Sequence, residues 1–179
     1  MIQASWDDVP HLDAKTKADL LASIPAHELD ARTKGVPTLG SGAVFPVSED
    51  AIKAEAFAIP DHWPRIAGID FGWDHPTAAA WYAWDRDTDT TYLYDCYRAA
   101  KTASGIHAAA IKGRGKWIPV AWPHDGYGAD GKRDGEPLRD LYVAEDVNML
   151  PEHATLPDGS NSVEAGLQDM LTAMLEGRF

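Results

Sequence analysis

The sequence predicts an α/β protein in which helices flank a mixed five-stranded sheet. An apolar stretch at 65–70 is followed by two aromatic-rich runs around a polar turn, which indicates three strands in succession, the last two forming a hairpin. Helical and strand-like patterns then alternate, which is typical of strands joined by helical crossovers. With 179 residues, 45% of them hydrophobic, the chain is long enough for one domain with a real core.

The first 36 residues differ in character from the rest. Residues 13–24 and 25–35 have helical spacing, but the apolar faces are narrow and need another surface to pack on. We therefore interpret 1–36 as a helical tail and 37–179 as the main domain. Residues 40–47 read as a turn that leads into a short strand.

The elements of the main domain follow in a regular order. Strand 1 is predicted at 65–70, the hairpin strands 2 and 3 at 77–85 and 91–98, a helix at 104–115 and strand 4 at 116–122. The remaining elements are a helix, a fifth strand and a last helix, at 136–146, 147–150 and 163–177. A strand reached through a helical crossover lies parallel to an earlier strand. The predicted sheet order is 3-2-1-4-5, with only strand 2 antiparallel.

Two aspartates are expected at one end of this sheet. Asp70 closes strand 1 and Asp125 follows strand 4. Parallel neighbours lie about 5 Å apart, and two carboxylates held close together repel until a divalent cation lies between them. Oxygen ligands of this kind select Mg²⁺ or Mn²⁺, and two such ions can activate water against a phosphodiester. The alternative is structural: Asp70 caps a strand end and Asp125 belongs to an Asx turn.

Further candidates surround this pair. Asp74 is a supporting carboxylate, a contact to a second ion, or a turn residue. His75 and His124 flank the same position and are candidates for proton transfer or water orientation, with ordinary solvated histidines as the alternative. Lys132 and Arg133 are a basic pair near the site and candidates for contact with a nucleic-acid backbone.

Composition excludes several classes of protein. The net charge of −12 argues against a generic nucleic-acid binder, although not against an enzyme that meets phosphate through carboxylate-bound metal ions. Cys96 is the single cysteine, so no intramolecular disulfide is possible. No stretch approaches the roughly 20 apolar residues of a membrane span and no leader is recognisable. We expect a soluble protein of a reducing cytoplasm.

Several stretches together resemble the nuclease domain of the large terminase subunit of tailed bacteriophages. The resemblance covers almost the whole chain and is carried by "RIAGIDFGWDHPTAAAWYAWD", "IPVAWPHDG", "VNMLPEHAT" and "VEAGLQDMLTAMLEGRF". The N-terminal "SWDDVPHLD" and "ELDARTKGVPTLGSGAVFPV" are similar to the segment that joins the packaging ATPase to the nuclease in that family.

The resemblance implies an RNase H-like fold and a Mg²⁺- or Mn²⁺-dependent endonuclease that cuts concatemeric viral DNA during head filling. Asp70 and Asp125 match two of the family's metal ligands. The implied partners are double-stranded DNA, the small terminase subunit, the portal protein and the ATPase domain, in the cytoplasm of a bacterial host.

The sequence departs from the family pattern in two ways. It contains no GxxxxGK[ST] motif, so the ATPase is expected to be missing. The family's third aspartate lies on a later helix than any here, so 37–179 is expected to be an incomplete nuclease domain, with Glu164 or Asp169 as possible substitutes. Two alternatives remain: a catalytically silent docking module of the packaging machine, and an ATP-binding lobe of the actin and sugar-kinase type.

Overall fold

The computed structural model describes residues 15–17, 21, 45–128 and 136–179. The chain divides into two compact units, Met1–Glu55 with Leu171–Gly177, and Ala56–Met170 with Arg178–Phe179. Within the predicted tail, residues 15–17 and 21 are helical, and the rest of 1–36 lies outside the described residues. No helix among the described residues is long and apolar enough to cross a membrane.

Besides these helical residues, the first unit contains the short helix α1 (Glu49–Ile52). The strand expected at 40–47 is wrong for the part that can be compared, because residues 45–48 form bends and irregular backbone. Pro46 has no N–H to donate to a strand neighbour, and the backbone turns into α1 directly after Ser48.

The second unit contains the sheet and its helices. Its elements are β1 (Arg65–Asp70), β2 (Thr77–Asp85), β3 (Thr90–Ala99), α2 (Ser104–Lys112), β4 (Val120–Ala121), a 3₁₀ helix (His124–Tyr127) and α3 (Leu138–Ala144). The last helix, α4 (Val163–Leu175), begins in this unit, and its residues from Leu171 onward are grouped with the first.

The sheet has the order β3-β2-β1-β4. β1 pairs antiparallel with β2 and parallel with β4, where Ala67 lies opposite Val120 and Gly68 opposite Ala121. The predicted order is therefore confirmed through its first four strands. In place of the predicted fifth strand, the structure has a single parallel bridge between Val120 and Met149.

β4 is shorter than the strand predicted at 116–122. Residues 113–117 form turns, and the N–H of Ile118 donates to Gly115 O at 3.0 Å. Pro119 has no N–H, but its carbonyl accepts a hydrogen bond from Ala67 N at 2.9 Å. Regular pairing therefore begins only at Val120, and β4 is a two-residue ladder.

The core lies on one face of the sheet. In β2 every second side chain is buried, as the alternation in the sequence predicts: Thr77, Ala79, Trp81 and Ala83. The helices α2 and α3 contact each other, and Ala108, Ile111, Leu141 and Tyr142 join the same hydrophobic cluster. This core fixes the edge of the sheet at which β1 and β4 end.

Candidate functional site

Asp70 is the last residue of β1 and lies opposite Ala78 of β2. Its neighbour Ile69 is buried in the core, so the alternation of the strand turns the carboxylate of Asp70 to the exposed face. A short irregular segment, 71–76, then returns the chain to β2. A carboxylate is thus held at the end of a strand whose alternate residues Ala67 and Ile69 are buried in the core.

Asp125 reaches the same edge by a different route. It lies in the 3₁₀ helix His124–Tyr127, which begins three residues after β4 ends. Because β4 runs parallel to β1 and Gly68 is in register with Ala121, both chains leave the sheet in the same direction. The expected meeting of the two strand ends is confirmed.

The two carboxylates influence each other. Partial burial raises the pKa of Asp70 above its ordinary value, and the negative charge of Asp125 raises it further. Both causes disfavour the ionised form of Asp70 while no cation is present. A bound cation would reverse this, since it favours the charged form of Asp70.

The loop after Asp70 is closed by a buried hydroxyl. Thr77, 1% exposed, donates from Oγ1 to the carbonyl of Gly72 at 2.8 Å, and the same oxygen accepts from the N–H of Gly72 at 3.2 Å. A Cβ at Gly72 would lie 2.3 Å from the carbonyl oxygen of His75, so only glycine fits this turn. The backbone that follows the carboxylate is therefore tightly positioned.

The turn that carries Asp125 is packed against the same loop. A Cβ at Gly126 would lie 2.5 Å from Cε3 of Trp122 and 2.9 Å from Cε2 of Phe71. Phe71 directly follows Asp70, and Gly126 directly follows Asp125. The close approach of Gly126 to Phe71 thus brings together the two backbone segments that bear the carboxylates.

The other candidate residues take different positions. Asp74 is exposed and forms an ion pair with Lys101 at 4.0 Å, and His75 is also exposed.

The two acidic residues of the last helix do not complete the site. Glu164 accepts a hydrogen bond from Ser162 at the start of α4, and Asp169 is exposed on the same helix. No group of three or more His, Cys, Asp or Glu side chains suited to one metal ion occurs in the described parts of the chain. Lys132 and Arg133 lie outside the described residues.

Sequence reasoning missed one neighbour of the site, His153. Its ring centroid lies 5.1 Å from that of His124 and 5.4 Å from that of Tyr127. The position of His153 could have been predicted, because it follows the predicted fifth strand, whose end reaches the same edge of the sheet. The segment after that strand carries no recognisable ligand spacing, so nothing in it singled out the histidine.

The donor set fits a hard divalent cation. Two carboxylates suit Mg²⁺, which takes one or two protein carboxylates and fills its other positions with water and phosphate oxygens. Burial is the larger cause of the raised pKa of Asp70, and the nearby charge of Asp125 adds to it, as expected where two carboxylates are held close together. Asp70 and Asp125 are therefore the residues that would hold the ion.

The mixed sheet and the carboxylates at the ends of β1 and β4 define an RNase H-like α/β domain. The model of one family, the terminase RNaseH-like domain, matches residues 67–179. The chain belongs to this family.

Relatives of known identity agree with that assignment. The large terminase subunits of Enterobacteria phage LP7 and Salmonella phage P22 are each 43% identical to it over 172 residues, 96% of this chain. The structure of the P22 large terminase nuclease domain is 44% identical, with a TM-score of 0.69, over 79% of this chain and 73% of that one. The resemblance found in the sequence is confirmed, and neither alternative, the docking module or the ATP-binding lobe, is favoured.

The chain spans about a third of the length of the two phage subunits that it matches, 36% for LP7 and 34% for P22.

Proposed function

We propose that this chain is the metal-dependent endonuclease domain of a phage large terminase subunit and cleaves concatemeric viral DNA during packaging. One observation carries the proposal: in a member of the terminase RNaseH-like family, Asp70 and Asp125 lie at the same edge of the sheet. They are close enough that the charge of Asp125 adds to the effect of burial in raising the pKa of Asp70. The similarity to the nuclease domain of the P22 large terminase supports the same activity.

In this proposal the carboxylates act as metal ligands. Asp70 would bind two Mg²⁺ or Mn²⁺ ions and Asp125 one of them. Bound ions of this kind activate water and stabilise charge on the attacking and leaving oxygens of a phosphodiester. The chain's own contribution is to hold the carboxylates: β1 places Asp70, the 3₁₀ helix places Asp125, and Thr77 fixes the loop between β1 and β2. Asp74 remains a candidate for contact with the second ion.

The remaining expectations form part of the same proposal. The substrate is double-stranded DNA, contacted in part by Lys132 and Arg133, and the site of action is the host cytoplasm. The partners are the small terminase subunit, the portal protein and the ATPase domain of the full-length subunit. Residues 1–36 would form the segment that leads from the ATPase domain to the nuclease domain at 37–179.

The test is cleavage of supercoiled plasmid DNA by the purified chain in Mg²⁺ or Mn²⁺. We expect nicked and linear products, and a loss of more than about 100-fold in Asp70→Asn and Asp125→Asn, because residues that merely orient a metal ligand already cost 10- to 100-fold. Asp87→Asn, in the exposed turn between β2 and β3, is the matched control and should cut normally.

Misfolding can be separated from loss of metal. Asp70→Asn should melt no earlier than the parent without metal, because the ionised carboxyl is disfavoured in the folded protein. Calorimetric titration with Mn²⁺ then decides between a nuclease and a silent docking module. If the parent binds no Mn²⁺, or if Asp70→Asn cleaves as fast as the parent, the proposed function is wrong.

A further inference from the structure

Four rings form a cluster beside Asp125. His124 and His153 stand edge to face, with centroids 5.1 Å apart and planes at 77°. Tyr127 lies 5.7 Å from His124 and 5.4 Å from His153, and Trp122 lies 5.9 Å from His153. Residues from two distant parts of the chain thus place two imidazoles together at the edge where β1 and β4 end.

The pair is held by the core rather than by a loose loop. Trp122 is 1% exposed and donates from Nε1 to the carbonyl of Leu150 at 2.8 Å, and its own carbonyl accepts from Ala154 N at 2.8 Å. These two hydrogen bonds flank His153 in the chain. The backbone of 150–154 is therefore tied to the residue that follows β4, and His153 is fixed relative to His124.

The imidazoles have hydrogen-bonding capacity to spare. His124 is exposed and His153 half-buried, and within the described part of the chain neither ring takes part in a hydrogen bond or an ion pair. Each neutral imidazole offers one N–H donor. Two donors that are held in place and accessible from solvent are suited to an oxygen-rich anion.

We propose that His124 and His153 bind a backbone phosphate of the DNA strand, next to the phosphate engaged at Asp70 and Asp125. This inference rests on the proposed nuclease function. His124 is the residue directly before Asp125, so a strand whose phosphate meets the metal site passes the imidazole pair. In a chain with a net charge of −12, imidazole N–H donors would add phosphate contacts to those that Lys and Arg side chains can make.

The chemistry separates this role from two others. If the imidazoles were metal ligands, their loss would abolish Mn²⁺ binding. If the cluster stacked on a base, an aromatic replacement would retain affinity, because stacking needs a ring and no N–H donor. Phosphate binding needs the donor, so asparagine should substitute better than phenylalanine.

The experiment measures binding of a short DNA duplex by fluorescence anisotropy in Ca²⁺, an ion with the same preference for oxygen ligands. We expect His153→Phe and His124→Phe each to raise Kd by about three- to tenfold, the usual effect of one lost hydrogen bond. His153→Asn should recover part of the affinity. His62→Phe, at an exposed histidine elsewhere in the same unit, should leave Kd unchanged.

Two further readouts keep this inference separate from the nuclease proposal. In long-range proton–nitrogen NMR spectra, duplex DNA should shift the ring signals of His124 and His153, whether or not the DNA is cut. In the cleavage assay the phenylalanine variants should raise KM with little change in kcat, as expected when binding alone is lost.

Unchanged Kd and unshifted ring signals would overturn the imidazole pair as a phosphate site, even if the chain cleaves DNA. Loss of Mn²⁺ binding in His153→Phe would overturn it as well, since the ring would then be a metal ligand. Shifted ring signals without any cleavage would support the phosphate site and count against the nuclease function.

Discussion

At the scale of single residues, the hydroxyl of Thr77 is the group that connects the core to the site. It is almost fully buried and bonds to both the N–H and the carbonyl of Gly72. A buried donor or acceptor that loses its partner costs about 1–3 kcal/mol. The side chain of one core residue therefore controls the loop that follows Asp70.

Replacing Thr77 with valine tests this role. Thr77→Val keeps the shape of the side chain but removes both hydrogen bonds to Gly72 and the one with the Tyr142 side chain. We expect the free energy of unfolding to fall by about 1–3 kcal/mol and Mn²⁺ affinity to fall with it. Urea unfolding and calorimetric titration measure the two effects. Thr77→Ser retains the hydroxyl and should restore the affinity; equal Mn²⁺ affinity in the valine variant would contradict the role.

The residues of the candidate site could be predicted to different degrees. Asp70 and Asp125 stand out in the sequence because each follows an apolar strand that ends at a polar turn, and strand order alone brings those ends together. The contribution of Gly126 could not be predicted, because it depends on the positions of the Phe71 and Trp122 rings. His153 was missed because its segment has no recognisable ligand spacing, and because the ring packing that places it beside His124 is set by the tertiary fold.

At the scale of secondary-structure elements, the 3₁₀ helix His124–Tyr127 depends on one glycine. Gly126 is buried, and a methyl group there would overlap Trp122 and Phe71. We expect Gly126→Ala to destabilise the fold by about 1–3 kcal/mol, as overpacked cores do, and to weaken Mn²⁺ binding.

A second glycine provides the matched control for this substitution. Gly166 lies inside α4, and a Cβ there would meet nothing within 4 Å. Gly166→Ala should stabilise the protein by about 0.5–1 kcal/mol because alanine favours helix more than glycine does. Thermal melts compare the two. A Gly126→Ala variant that melts no earlier than the parent would show that the 3₁₀ helix can move away from Phe71.

A histidine at the contact between β3 and α2 makes the stability of the fold depend on pH. His107 of α2 is 2% exposed, and its Nδ1 lies 2.8 Å from the hydroxyl of Tyr97. Burial lowers the pKa of His107 below its ordinary value of 6.5, opposed by a hydrogen bond with the Thr102 backbone. The unfolded chain therefore takes up a proton before the folded one does, and stability is lost as the pH falls below 6.5 towards the folded pKa.

Urea unfolding at pH 7.5 and pH 5 tests this linkage. We expect a smaller free energy of unfolding at the lower pH in the parent and a weaker pH dependence in His107→Phe, whatever that variant's stability at neutral pH. The exposed His62→Phe should keep the parent's dependence. The same slope in His107→Phe and the parent would contradict a buried neutral His107.

Periodicity predicted some elements better than others. The alternation of buried and exposed residues over 77–85 predicted β2 and its hairpin, because two faces with different surroundings leave a clear period of two. The apolar run at 116–122 predicted too long a strand, because its first two residues lie in turns and are exposed, Trp117 among them. Buried residues begin only at Ile118, and the start of pairing depends on Pro119 and on the turn at Gly115.

At the scale of the whole molecule, the charge balance makes DNA binding depend on ions. With a net charge of −12, the chain repels a polyanion unless cations reduce the charge at the site. We expect duplex binding measured by anisotropy to be lost in EDTA and restored by Ca²⁺ or Mn²⁺.

The double variant Asp70→Asn, Asp125→Asn should not regain DNA binding when ions are added, because it lacks the carboxylates that hold them. Equal affinity of the parent in EDTA and in Ca²⁺ would show that cationic side chains dominate instead.

The two-residue ladder between β1 and β4 has a consequence for the order of folding. Asp70 and Asp125 are 55 positions apart in the chain (125 − 70), and only two residue pairs join their strands. The hairpin β2–β3 can form from local contacts, whereas this long-range pairing must first overcome the entropy of closing a large loop. Ion affinity should therefore emerge late in refolding, after the hairpin, so that the chain gains the capacity to bind metal only once its distant halves have joined.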